Sequence, residues 1–213
     1  MIKLIYFDFN FWRVDILRLC LSYSKTPYKY ERVRRKEWFK KKSQFPFGQL
    51  PVMVINGKQF SHTHTLAKFC AIKSSLYDNN QFNILIIDQV LDWANEITNH
   101  IAPSIRAAMR EKNIEKFKSL REEFIKNDLH VWIGYLEELF KRSSKKGRFF
   151  TDKFSIADIT AWRVLYWFCS GKLDMISKSF LDEHPVLKEY YKTIHNYFPL
   201  NQLEEFKSIT NLN

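Results

Sequence analysis

A few side chains in this sequence could do chemistry, and the spacing around each says what kind. Tyr6 closes the apolar run Ile2-Lys3-Leu4-Ile5-Tyr6-Phe7, which reads as a buried strand. A phenol at the C-terminal end of a strand stands where ligands approach an α/β sheet. Its neutral hydroxyl can donate a hydrogen bond to a sulfur anion and stabilise it without giving up the proton. A core tyrosine satisfied internally is the alternative. Thr63 falls just before the apolar-periodic stretch Leu66–Ile72, at a helix start, where a hydroxyl, backbone N–H groups and the helix dipole favour a carboxylate. An ordinary N-cap fits equally well.

Charge is the next signal. Net charge is +11, and seven of the eleven residues 32–42 are basic: Arg32, Arg34, Arg35, Lys36, Lys40, Lys41 and Lys42. Such a cluster attracts phosphates or a small anion, and a solvated face is the plainer reading. No helix-turn-helix, RNA-recognition or zinc-finger signature accompanies it, so nucleic acid ranks behind a small anion and behind no ligand at all. The three cysteines, Cys20, Cys70 and Cys169, show no CxxC pairing, which points away from zinc and from a disulfide framework. His100, His130, His184 and His195 lack metal-ligand spacing and are expected to be structural or solvated, so no metal is expected. Met1 leads straight into the strand with no signal-peptide core, and the apolar stretches near 84–87 and 164–169 are too short to span a bilayer. A reduced, cytoplasmic setting with no membrane partner is the expectation.

These groups need elements to hold them. Glycine and proline are scarce, five and six, which argues for long helices over a turn-rich β fold. After the first strand, Asp15–Tyr23 carries helical spacing, Tyr28–Val33 reads as a second strand and Val52–Ile55 as a third. The Asn56-Gly57 pair between apolar runs marks a hairpin into Lys58–Phe60. The order β-α-β-loop-β-β-α suits a thioredoxin-like sheet. Beyond Asn80 the pattern changes: Ile86, Val90, Trp93 and Ile97 repeat at 4, 3, 4 spacing, a sustained helical stripe. More helical patterning follows over 117–140, then a basic loop, Arg142–Gly147. Ser155-Ile156-Ala157-Asp158 reads as an N-cap with an acidic residue at the third helical position, and His184-Pro185 opens one more helix. The fold class is therefore α/β plus all-α, with domains at 1–77 and 82–213.

The pieces taken together resemble the cytosolic glutathione transferases, the sigma class most closely. The likeness runs through Lys3–Phe7, Arg13–Arg18, Glu37-Trp38, Lys42, Pro46–Val52, Asn56–Phe60 and Thr63–Leu66, and in the second half through Asp152–Ile159 and His184-Pro185. It covers nearly the whole chain; its motifs are specific jointly rather than singly. The resemblance implies glutathione as co-substrate, its thiolate stabilised by Tyr6. It implies a cis Leu50–Pro51 bond that presents the Leu50 backbone to the cysteinyl part of the tripeptide. By the same likeness Thr63, with His62 before it, would meet the γ-glutamyl carboxylate, and Trp38, Lys42 and Gln49 the glycyl end and backbone. Arg13 belongs to the same glutathione-binding set. Asp92 would reach glutathione across a homodimer interface, with Asp88 as the alternative.

Several positions depart from that pattern. Asn10-Phe11-Trp12-Arg13 replaces a shorter Arg-Gly-Arg, so Phe9, Phe11 and Trp12 would line or narrow the electrophile pocket. His62-Thr63 replaces Gln-Ser, and Thr151 replaces a glycine, which puts a positive-φ turn there in question. No tryptophan near Asn99 supports prostaglandin isomerisation. The implied activity is conjugation of glutathione to small apolar electrophiles, a detoxification chemistry. The alternatives are a glutathione-binding sequestration or structural protein with little turnover, and a glutathione-dependent isomerase or peroxidase.

Overall fold

The computed structural model describes residues 1–144 and 147–210; Lys145 and Lys146 of the expected basic loop, and the last three residues, lie outside them. Contacts divide the chain into two compact units, Met1–Ile84 with Ile194–Asn213, and Leu85–Thr193.

The first unit is built on a four-stranded sheet of order β2-β1-β3-β4, from β1 (Ile2–Phe7), β2 (Tyr28–Val33), β3 (Val52–Ile55) and β4 (Lys58–Ser61). β1 and β2 run parallel, joined through α1 (Trp12–Tyr23), whereas β3 is antiparallel to β1 and to β4. This is the thioredoxin-like arrangement. Leu4, Ile5 and Tyr6 are successive yet all buried, as a strand covered on both faces requires. The Asn56-Gly57 turn is present, with φ of 49° and 77°, the left-handed values a tight hairpin needs. α3 (Thr63–Lys73) packs on α1. The connection read as a loop after β2 contains a short helix, α2 (Arg35–Lys41), with no buried residue.

The chain's tail also belongs here. α9 (Phe198–Asn201) and α10 (Glu204–Thr210) pack on α1, and the Tyr28 hydroxyl donates to Glu205 at 2.7 Å. The stretch expected to continue the second domain to residue 213 thus makes its closest contacts within the first unit from Ile194 onward. Phe206 and Ile209 are buried, and that apolar face is what ties the tail down.

The regular elements of the second unit, among the described residues, are helices: most of α4 (Gln81–Arg106), α5 (Ile114–Phe124), α6 (His130–Ser143), α7 (Ile156–Cys169) and most of α8 (Pro185–His195). Of the stripe read on α4, Val90, Trp93 and Ile97 are buried, whereas Ile86 is half-buried and its neighbour Ile87 takes the buried place. The Trp93 indole N–H donates to the Trp132 carbonyl at 2.7 Å, tying α4 to α6. At the start of α7 the capping box is complete. The fully buried Asp158 carboxylate accepts from the Phe150 N–H at 3.0 Å, the Ser155 N–H at 2.9 Å, the Ser155 hydroxyl at 3.2 Å and the Tyr190 hydroxyl at 3.1 Å. Burial pushes Asp158 up to about 6, against the pull of those four donors. Thr151 is absent from the positive-φ residues, and Gly147 takes that geometry at 62°.

Three of the histidines have carboxylate partners that sequence spacing does not reveal. His100 lies 2.9 Å from Asp128, His130 3.5 Å from Glu183 and His184 3.8 Å from Glu137. All are partners brought together by tertiary packing of helices. No group of three or more His, Cys, Asp or Glu suited to a metal occurs among the described residues. Burial raises all three thiols: Cys20 well above its ordinary value, Cys70 and Cys169 to about 12.

Candidate active site

The C-terminal end of β1 organises the site. Ile5 pairs with Val52 in the antiparallel ladder, so one step further Tyr6 stands level with Pro51. Val52 pairs in turn with Ser61, which brings the end of β4 and the His62-Thr63 pair to the same edge. Tyr6, Leu50-Pro51 and His62-Thr63 therefore share one end of the sheet. They are scattered over 58 positions of sequence, and the register alone gathers them.

Tyr6 is only 4% exposed, with its ring edge-on to Phe7 at 5.5 Å and Phe9 at 5.8 Å. Arg13, in the first turn of α1, is within electrostatic reach of the Tyr6 hydroxyl. Burial lowers its guanidinium pKa, and Tyr6 works in the opposite direction. A cation beside the phenol favours negative charge at that point. Leu50–Pro51 is cis. Leu50 packs with Trp38 and Phe45 onto a cluster of Ile5, Val33 and Val52.

Trp38 is fixed from two sides, by Phe7 edge-on at 5.0 Å and by Phe45 stacked at 5.9 Å. Those contacts set α2 against the sheet and carry Lys42, at its C-terminal end, towards the turn Pro46–Gly48. The Lys42 stem lies across Gly48, where an added Cβ would meet Lys42 Cε at 2.8 Å. Phe47 and Gly48 both have φ of 55°. The Phe47 ring touches the His62 imidazole, with centroids 4.5 Å apart. Lys42, Gln49 and His62 are exposed.

At α3 the helix begins at Thr63, three residues before the apolar periodicity, so the N-cap is His62 rather than Thr63. His62 has φ 71° and ψ 122°, a conformation costly for a residue with a Cβ, and its side chain makes no capping hydrogen bond. The Thr63 side chain is buried at the first helical position. Sequence reading missed Ser61: its hydroxyl is buried beside this pair with no hydrogen-bond partner among the described residues. The only hint in the sequence is a polar residue closing a strand ahead of His62.

Of the three aromatics expected at an electrophile pocket, Phe9 and Phe11 are half-buried, their rings 6.3 Å apart. Trp12 is more deeply placed than either. It is the first residue of α1 and fully buried, with Arg13 over its ring at 4.7 Å. Asp92 lies in the second unit, exposed on α4, where it lines a cleft of about 280 Å³ with Trp93, Glu96, Trp132 and Tyr135. Asp88 is half-buried on the same helix.

Residues 99–202 match the family model for the glutathione S-transferase C-terminal domain. Glutathione S-transferase 3 of Caenorhabditis elegans is 26% identical over 196 residues, 88% of this chain and 94% of that protein. Among solved structures, the monomeric glutathione S-transferase Na-GST-3 of the hookworm Necator americanus is 25% identical, with a TM-score of 0.74 and 94% of each chain covered. A prostaglandin synthase D of Nilaparvata lugens is 24% identical with a TM-score of 0.79, covering 95% of this chain and 96% of its own; that likeness is one of fold.

Proposed function

On the support these likenesses give to the cytosolic glutathione S-transferase family, we propose that the chain is a sigma-like glutathione transferase joining the glutathione thiolate to small apolar electrophiles. The observation that carries this reading is the convergence of Tyr6, Leu50-Pro51 and His62-Thr63 at one end of the sheet. An ordinary thiol has a pKa near 8.5 and is mostly protonated at neutral pH. The Tyr6 hydroxyl donates to the bound sulfur and the Arg13 charge lies close by, so the thiolate is favoured and its proton leaves to solvent. The sulfur then attacks the electrophilic carbon, forming the C–S bond as the leaving group departs with its electron pair. The Leu50 backbone holds the cysteinyl residue. Thr63, His62 and the α3 N-terminus receive the γ-glutamyl carboxylate, and Trp38, Lys42 and Gln49 hold the glycyl end. In a homodimer, Asp92 of a second copy reaches the glutathione amine. A cytoplasmic setting and a detoxifying role belong to the same proposal.

Tyr6→Phe tests it with an aryl halide as electrophile. Losing one preorganised donor lowers kcat by about 100-fold, while retention on immobilised glutathione persists. Equal rates would overturn the role given to Tyr6.

A second reading has its own support. Phe7 and Phe9 stack at 5.8 Å and Phe9 also meets the Tyr6 ring, which crowds the approach to the phenol. A protein that holds glutathione and turns over little fits that crowding. Tight retention with negligible conjugation of aryl halides supports it; ordinary transferase rates end it.

A further inference from the structure

We propose that α2 and its flanks form a docking surface for an anionic lipid bilayer. Phe39 is 88% exposed, the most exposed aromatic ring among the described residues, and it stands in the middle of a helix that buries nothing. Its neighbour Trp38 explains why. Trp38 is held inward by Phe7 and Phe45, so the next residue, about 100° further round the helix, points away from the sheet.

Lys36, three residues before Phe39, shares its face, and Lys40 follows it; Arg35 lies instead over the Phe9 ring at 5.5 Å and the Lys42 stem across Gly48. Around it, seven cations in residues 32–42 face one carboxylate, Glu37, already occupied by Arg34 at 2.7 Å and Lys41 at 3.0 Å. Arg32 pairs with Asp8 at 3.2 Å. Lys36 and Lys40 are exposed and make no ion pair among the described residues.

A ring ringed by cations matches a layered partner: phosphate and carboxylate headgroups at the level of the lysines, acyl chains just beneath for the ring. A nucleic acid duplex offers the charge along its backbone but no apolar layer to receive the ring. No helix among the described residues is long and apolar enough to cross a membrane, so the contact is one of lying on the surface. Charge and a single ring are two weak signals acting together, which makes the binding reversible and salt-sensitive. This surface does not depend on turnover, and the inference stands apart from the proposed chemistry.

Full-length protein is sedimented with vesicles of phosphatidylcholine alone and of phosphatidylcholine mixed with phosphatidylserine. Binding is expected only to the mixed vesicles and falls as salt rises. The double variant K36E/K40E loses about tenfold or more in partitioning. Phe39→Ser, with charge unchanged, loses several-fold. Both variants keep the wild-type circular dichroism spectrum and retention on immobilised glutathione, which separates lost docking from lost folding. Equal binding to both vesicle types overturns the proposal. So does a Phe39→Ser variant that binds like wild type, or single-stranded nucleic acid that binds more tightly and strips the protein from vesicles.

Discussion

Two helices in this protein begin in opposite ways. At α7 the start is closed: Ser155 and Asp158 satisfy one another's backbone N–H groups, and Asp158 takes two further donors from Phe150 and Tyr190. At α3 the start is open: His62 holds φ 71° and offers no capping bond, and Thr63 follows as the first helical residue. The same physics operates at both ends, since every helix leaves N–H groups without an intrahelical acceptor. At α7 the chain supplies the acceptors itself, and they serve folding. At α3 it accepts an unfavourable backbone conformation and supplies no side-chain cap, at the end that the proposed function gives to the γ-glutamyl carboxylate.

The comparison can be broken from either side. Asp158→Ala leaves four donors unserved in a dry site and should cost about 3 kcal/mol in chemical denaturation, with no dependence on glutathione. A loss under about 1 kcal/mol would mean the α7 carboxylate is not the closure described. Ser155→Ala removes only the cap hydroxyl and should cost about 1 kcal/mol in the same measurement. His62→Gly relieves the positive φ and should stabilise the free protein by about 1 kcal/mol while weakening retention on immobilised glutathione. If it destabilises, His62 is a folding element after all and the contrast fails. Thr63→Val should change free stability least, within about 0.5 kcal/mol, and yet reduce the rise in melting temperature that added glutathione produces. Equal shifts for Thr63→Val and wild type would leave the open end without its proposed ligand.

The closed end was legible in the sequence and the open end only in part. Ser155 and Asp158 are three apart, and capping is a local contract between neighbours, so residue type and spacing suffice. Strand positions and the Asn56-Gly57 turn were legible for the same reason. The start of α3 was misplaced because Thr63, His64 and Thr65 carry no apolar periodicity; the backbone turn at His62 sets the boundary. The inward burial of Trp12 was hidden because it depends on where α1 begins relative to the loop. α2 is polar on nearly all sides and held by Trp38, so no stripe announces it. The tail's return to α1 rests on contacts such as Tyr28 with Glu205, 177 positions apart, which no local pattern encodes. Pairings of histidine with carboxylate in the helical unit were missed for that reason too.

The three thiols have a bearing on how such a protein survives its own trade. Under the proposed chemistry it gathers alkylating agents beside a sulfur made reactive on purpose. Cys20 and Cys70 are enclosed and Cys169 half-buried, and burial holds all three thiols in the protonated form, so they make poor targets for the same reagents. Iodoacetamide should label the folded protein far more slowly than the chain in urea, and a cysteine consumed at the unfolded rate would show that this immunity is missing at its position.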